Sequence, residues 1–310
     1  MCVSRALTWR DLPLLNRYRE RVVCLDSRRA TIGGGGWLSA GLLALLSPAT
    51  GIAAVQYAAD GARAEGGPLV AVAEHNPQNE LAGLLYIAPA QALQPQTPLA
   101  PLIEALVAHP ALRGAHALWA EAPQQAAWLP ALRAAGFRVL ARQRLWKMAS
   151  PQTADAAGRW MWPSAQQRWE ADRLYADLTP PLVRHLLPSP AACPTAVVYV
   201  EGGHVRGVAR WAAGPRGVWA APVLHPDLED PPAVLASLAA FLQRTGKPFF
   251  FAIRDNQMWL EAALARLEAQ PGEPYAFLAR WIAQPVTATQ PLATPVVADA
   301  PQPTLFSPRA

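Results

Sequence analysis

Three carboxylates stand where predicted strands end or begin: Glu74, Glu80 and Glu121. A carboxylate in such a place can take a proton as a general base, although a strand end is also where solvated carboxylates ordinarily sit. The other chemistry-bearing residues form weaker patterns. His75, His204 and His225 lie beside turns, and no two of them share the spacing of metal ligands, so no metal site is expected. No G-x-S-x-G is present, and without that elbow a Ser-His-Asp triad has no exposed nucleophile. Gly33-Gly34-Gly35-Gly36 lacks the strand before it and the Lys-Ser/Thr after it that a phosphate-binding loop needs. Cys2, Cys24 and Cys193 are odd in number and far apart, which implies neither a disulfide framework nor a CxxC metal site.

The elements that must position these groups fall into two series. Residues 4–8 read as a strand. Asp11 and Pro13 then open a helix expected to run to about Cys24, with Asp11 accepting from its free amides. A leucine-rich helix at 42–46 precedes three strands (52–58, 69–73, 81–87) joined by polar turns, the pattern of an antiparallel meander. Apolar spacing then switches to the helical period over 98–109. A strand (115–120), a helix (124–135) stopped by Gly136, and a strand (137–146) that closes the series follow. After a small, polar linker at 150–157 the same order returns. There are helices at 164–175, 183–187, 234–244 and 257–269, and strands at 159–162, 196–200, 205–212, 217–223, 248–253 and 275–282. Gly114 with Gly246, Gln125 with Gln257 and Leu132 with Leu264 recur at one constant offset, as an internal repeat should. The expected organisation is an α/β (α+β) chain of two tandem domains, 1–149 and 158–283, each a mixed, mostly antiparallel sheet flanked by helices. The Pro-, Thr- and Ala-rich residues 284–310 read as a disordered tail.

Composition narrows the function classes. With 52% hydrophobic and 16% charged residues in 310, the chain is globular and long enough for two cores. Lys147 and Lys247 are its only lysines, so the formal charge of +5 is almost wholly arginine. Arginine suits planar anions such as phosphate and carboxylate, but a GC-rich genome yields the same bias without any function attached. Arg17, Arg19, Arg21, Arg28 and Arg29 are interleaved with Glu20 and Asp26 and read as a solvated helix face. No zinc-finger spacing or one-sided basic helix argues for nucleic-acid binding. Residues 37–59 are nearly free of charge, yet Pro48 and Thr50 divide them into a helical and a strand-like part, so a buried helix and core strand are expected instead of a membrane span. The first residues lack the apolar core of a signal peptide, and a cytoplasmic location is expected. Trp160, Trp162 and Trp169 cluster after the linker, where they are expected to pack one half on the other.

The stretch Gly114-Ala115-His116-Ala117-Leu118-Trp119-Ala120-Glu121, the following helix, and Ala134-Ala135-Gly136-Phe137 resemble the end of the domain in the GNAT superfamily of acyl-CoA-dependent N-acetyltransferases. Residues 158–283 resemble it more loosely, with Gly272-Glu273-Pro274-Tyr275 in place of Gly-Phe. The resemblance implies acetyl-CoA or another acyl-CoA as co-substrate and a small-molecule or peptide amine as acceptor. The amine would attack the thioester directly, Glu74, Glu80 or Glu121 would serve as general base, and backbone amides near Ile87, Ala88 and Ala90 would polarise the carbonyl. The same family holds the CoA diphosphate on a glycine-rich turn, because bare amides can approach it closely. Residues 88–98 have no glycine and three prolines, and 225–232 carry three carboxylates. Leu132 and Leu264 stand where many members place the tyrosine that protonates the CoA thiolate, and neither can donate a proton. Two readings follow: an acyl-CoA N-acyltransferase working through its first half, or a non-catalytic protein of this fold that binds a ligand or protein partner in the cleft between the halves.

Overall fold

The computed structural model describes residues 3–33, 36–46, 50–58, 67–76, 80–149, 156–243 and 246–282. Gly34 and Gly35, most of the linker and the tail lie outside these residues. The first half contains β1 (Val3–Ala6), α1 (Leu12–Tyr18), β2 (Val23–Cys24), α2 (Ser27–Ile32), α3 (Trp37–Leu46), β3 (Ile52–Ala58), β4 (Leu69–Asn76), β5 (Leu81–Ala88), α4 (Ala100–Val107), β6 (Ala117–Pro123), α5 (Leu129–Ala134) and β7 (Arg138–Met148). The second contains β8 (Arg159–Met161), α6 (Ala165–Leu178), α7 (Pro181–Leu186), β9 (Ala196–Glu201), β10 (His204–Gly214), β11 (Gly217–Leu224), α8 (Pro231–Leu242), β12 (Phe249–Arg254), α9 (Leu260–Arg266) and β13 (Gln270–Trp281).

All these strands join one mixed sheet in the order β1-β3-β4-β5-β6-β13-β7-β12-β11-β10-β9-β8, with β2 on β5. Among the described residues, only β5 with β6 and β11 with β12 run parallel. The expectation that each half is closed by its own last strand is not met. Strand β7 pairs with β12 of the second half, and β13 inserts between β6 and β7, so the halves exchange their final strands. Alternation along β13 then serves two faces. Ala276 and Leu278 enter the core of the first half beside Leu118 and Leu132, while Phe277 and Ala279 turn to the opposite face against Val183 and Leu186 of α7. Pro271 and Pro274 lie inside this strand where its register with β7 shifts, the place a strand tolerates residues without an N–H.

Near the N-terminus the long helix expected to Cys24 ends at Tyr18, and Val23–Cys24 is extended instead. Asp11 does not cap α1. Its carboxylate accepts from Thr8 N–H (2.8 Å) and from both terminal nitrogens of Arg5 (2.8 and 2.7 Å). Those donors, Arg5 foremost, bring its pKa down to about 2. The pair therefore stabilises the fold above the usual carboxylate range, and the contribution disappears as pH falls from about 4 through 2. Arg5 is partly exposed, which weakens the pair. Asp11→Asn is expected to cost about 1–2 kcal/mol at pH 7, with urea midpoints of the two proteins converging near pH 2.

The tryptophans after the linker divide: Trp160 enters a core cluster that also holds Trp146 and Met148 of β7, and the other two do not. Trp160 is buried in the second core, donating to Val234 O (3.0 Å) and tilted on Tyr199, whereas Trp162 and Trp169 are exposed. No helix among the described residues is long and apolar enough to cross a membrane, and α3 is followed by core strand β3 as the sequence suggested.

Candidate functional site

Strands β5 and β6 pair only over Leu81–Gly83 and Ala117–Trp119. Beyond that they diverge and leave a V-shaped opening. The opening is filled from within the chain. Val23 and Cys24 pair with Ile87 and Tyr86. Leu25 N–H donates to Leu85 O (2.8 Å), and Leu25 O accepts from Glu121 N–H (2.7 Å), so one buried residue bridges both strands. Ala88 pairs with Val70, and the Ala90 amide donates to Arg21 O (2.7 Å). The backbone around Ile87, Ala88 and Ala90 is thus engaged by residues 21–25 and by β4.

The loop after β5 is equally self-contained. The amides of Ala92, Leu93 and Thr97 donate to carbonyls within the loop, and that of Gln94 donates to Thr97 Oγ1 (2.7 Å). In the second half, Leu224 N–H donates to the Gln257 side chain (3.0 Å), and Asp230 accepts from Ala233 N–H at the start of α8. A carboxylate there takes the place an anion would need. Leu132 and Leu264 are buried in their respective cores. The residues present do not fit a CoA diphosphate in either half.

What remains open is a cavity of about 420 Å³ between the halves, in the size range of small-molecule sites. Its first-half wall is built on α2. Asp26 caps that helix, accepting from Arg29 N–H (3.0 Å), and lies 3.4 Å from the Arg28 and 3.3 Å from the Arg29 guanidinium. Arg29 also pairs with Glu74 at the end of β4. Glu121 on β6 is buried and accepts from Ser27 N–H (2.8 Å), while Ser27 Oγ accepts from Gln143 Nε2 on β7 (2.8 Å). Burial first, then the neighbouring Asp26 carboxylate, pushes the Glu121 pKa up, so this carboxyl is held towards its protonated form. Burial also raises the Tyr86 phenol to about 12 and the Cys24 thiol to about 11, which leaves neither ready to ionise near neutral pH.

The second-half wall comes from the turn after α7 (Leu187, Pro188), from Thr195, and from Arg210 and Trp219 on β10 and β11. The Arg210 guanidinium lies over the Trp219 ring, 5.5 Å from its centroid. Burial, with Arg28 and Arg254 adding like charge, lowers its pKa.

Of the three sequence-predicted carboxylates, Glu74 and Glu121 meet at this cavity. Glu80 does not line it; it is largely exposed and lies 3.8 Å from His116. Arg28 and Arg29, read from sequence as part of a solvated helix face with Arg17, Arg19 and Arg21, are on a separate helix and line the cavity, while the other three are exposed. Arg210 was not anticipated. Its signal was available: it is an arginine inside the apolar run Val208-Ala209-Arg210-Trp211-Ala212, and a charge in a core strand calls for a reason. Among the described residues no group of three or more His, Cys, Asp or Glu could hold a metal ion.

No family model matches the sequence, and no curated protein is similar to it. Solved structures share its architecture. A GCN5-related N-acetyltransferase from Sphaerobacter thermophilus superposes with a TM-score of 0.51 at 12% identity, over 90% of this chain and 95% of that one. A GCN5-related glucosamine N-acetyltransferase region of a fungal multi-domain GH3 β-N-acetylglucosaminidase gives a TM-score of 0.51 at 11% identity, over 90% of this chain and 38% of that one. At such identities the likeness establishes the fold, in which helices flank a mixed, mostly antiparallel sheet, and the site must be argued from its own residues.

Proposed function

We propose that this chain, built on the fold of GCN5-related N-acetyltransferases, is a binding protein that takes up a small molecule in the cavity between its halves and does not use acyl-CoA. The observation that carries this reading is Leu25. Its backbone occupies the β5/β6 opening, where the GNAT resemblance would put the pantetheine arm of an acyl-CoA, with a hydrogen bond to each side. Self-satisfied or acid-capped loops after β5 and β11 point the same way. Calorimetry on the full chain with acetyl-CoA at low salt is expected to give no heat. Binding at micromolar strength, about −8 kcal/mol, would overturn the proposal.

One observation favours a second reading, an acyl-CoA-dependent N-acyltransferase. Glu121 is a buried carboxyl of raised pKa on the wall of a cavity large enough for an amine substrate, and the ionised form of such a group, made more basic by burial, can accept a proton from an attacking amine. That reading predicts release of free CoA thiol from acetyl-CoA in the presence of an amine. It also predicts loss of that release in Glu121→Gln.

A further inference from the structure

The charges around the cavity do not cancel pairwise. Arg29 is held by Glu74 and Asp26, and Arg28 by Asp26. The Arg210 side chain has no hydrogen bond and no carboxylate within 4 Å among the described residues; it lies over the face of Trp219, and Asp26 attracts it only from farther off. It is part-buried on the cavity wall, with Arg28 and Arg254 close enough to repel it. A guanidinium in such surroundings is unfavourable unless an anion completes it. Two further polar groups of the lining residues, Trp219 Nε1 and His75 Nε2, are buried without a hydrogen-bond partner, which an apolar cavity would not retain.

We infer that the cavity between the halves binds a small organic carboxylate, with its anionic end on the Arg210 guanidinium and its apolar body against Trp119, Leu85 and the Leu186–Pro188 turn. This deepens the binding-protein reading given above and rests on it. A planar guanidinium matches a carboxylate with two parallel N–H···O bonds. Phosphate fits less well for three reasons. Among the described residues one guanidinium without a carboxylate partner faces the cavity instead of several. Two of the first three amides of α2 are already taken, Ser27 N–H by Glu121 and Arg29 N–H by Asp26. Asp26 and Glu74 on the opposite wall repel a dianion more than a monoanion. Gly83 shapes the apolar end: a Cβ there would come within 2.6 Å of the Trp119 ring, so the missing side chain lets the indole lie on β5.

The test uses the full chain and its Arg210→Met and Arg210→Lys variants, with phenylacetate, benzoate, benzyl alcohol and inorganic phosphate followed by calorimetry at low salt. Phenylacetate or benzoate is expected to bind the wild-type chain. Affinity should fall roughly ten- to a hundredfold in Arg210→Met and by less in Arg210→Lys, which keeps the charge without the fork. Without any ligand, Arg210→Met is expected to melt above the wild type, because an uncompensated charge has been replaced by a side chain of similar length. Equal carboxylate binding by wild type and Arg210→Met, tighter binding of phosphate, or binding of neither carboxylate would overturn the inference. So would a lowered melting temperature in ligand-free Arg210→Met, since Arg210 would then be part of the scaffold. Benzyl alcohol bound as tightly as benzoate in all three proteins would end the carboxylate assignment and leave the cavity a ligand site. Heat from acetyl-CoA in the same instrument would instead end the binding-protein reading.

Discussion

A chain ending at residue 269 is expected to lose the fold of both halves. Strand β13 is the second half's last element, yet its partners are β6 and β7 of the first. Its removal exposes a ladder edge on each and strips Ala276, Phe277, Leu278 and Ala279 from two packed faces. Truncating Phe277 alone to Ala should cost about 3–5 kcal/mol, and Leu278 about 2–5 kcal/mol. Those two losses together approach the whole stability of an ordinary domain, roughly 5–15 kcal/mol. The shortened chain should show no cooperative transition by calorimetry, and Phe277→Ala should shift a single transition downward. A shortened chain that retains a sharp transition with near-native ellipticity would mean that the first half stands without β13, and the exchange would not matter to folding.

Glu121 sets the second large effect, and two variants separate its causes. Glu121→Ala removes the acceptor of the buried Ser27 N–H and is expected to cost about 1–3 kcal/mol for that orphaned donor. Glu121→Gln keeps an acceptor oxygen and removes the charge. A carboxyl whose pKa is raised on folding leaves the protein most stable below its unfolded value, ~4.3, and stability falls as pH rises from there towards the raised value. Glu121→Gln should therefore match the wild type near pH 4 and exceed it increasingly towards neutrality, in urea midpoints taken across that range. A gap that narrows with rising pH would show that the carboxylate is stabilised when charged.

The sequence showed the types and order of most elements, because apolar periods of two and 3.6 depend on local spacing. Partners across the sheet do not depend on local spacing. Residues 275–282 were legible as a strand, but nothing in Tyr275-Ala276-Phe277-Leu278 says which half it will pair with. Val23-Cys24 was misread for a related reason. It follows Tyr18 within the reach of a plausible helix, and only its bonds to Ile87 and Tyr86 make it extended. Two of the three carboxylates were found as strand-end groups, although β4 and β6 run two residues past Glu74 and Glu121. Arg210 was missed although its apolar run marks it as a charge in a core strand, and its isolation from carboxylates appears only when both halves are assembled.

The Val23–Leu25 segment can also be viewed as a competitor that never diffuses away. A stretch of chain tethered a few residues from its site acts at an effective concentration in the millimolar range or above. An acyl-CoA entering the β5/β6 opening must first displace it, and its apparent affinity falls in proportion to how rarely the opening is free. Loosening the tether, by glycines at Val22 and Val23 for instance, would change occupancy of the opening without altering any residue of β5 or β6. Gain of acyl-CoA binding in this lineage would thus begin with the connection between α1 and α2, before any change in the phosphate loop.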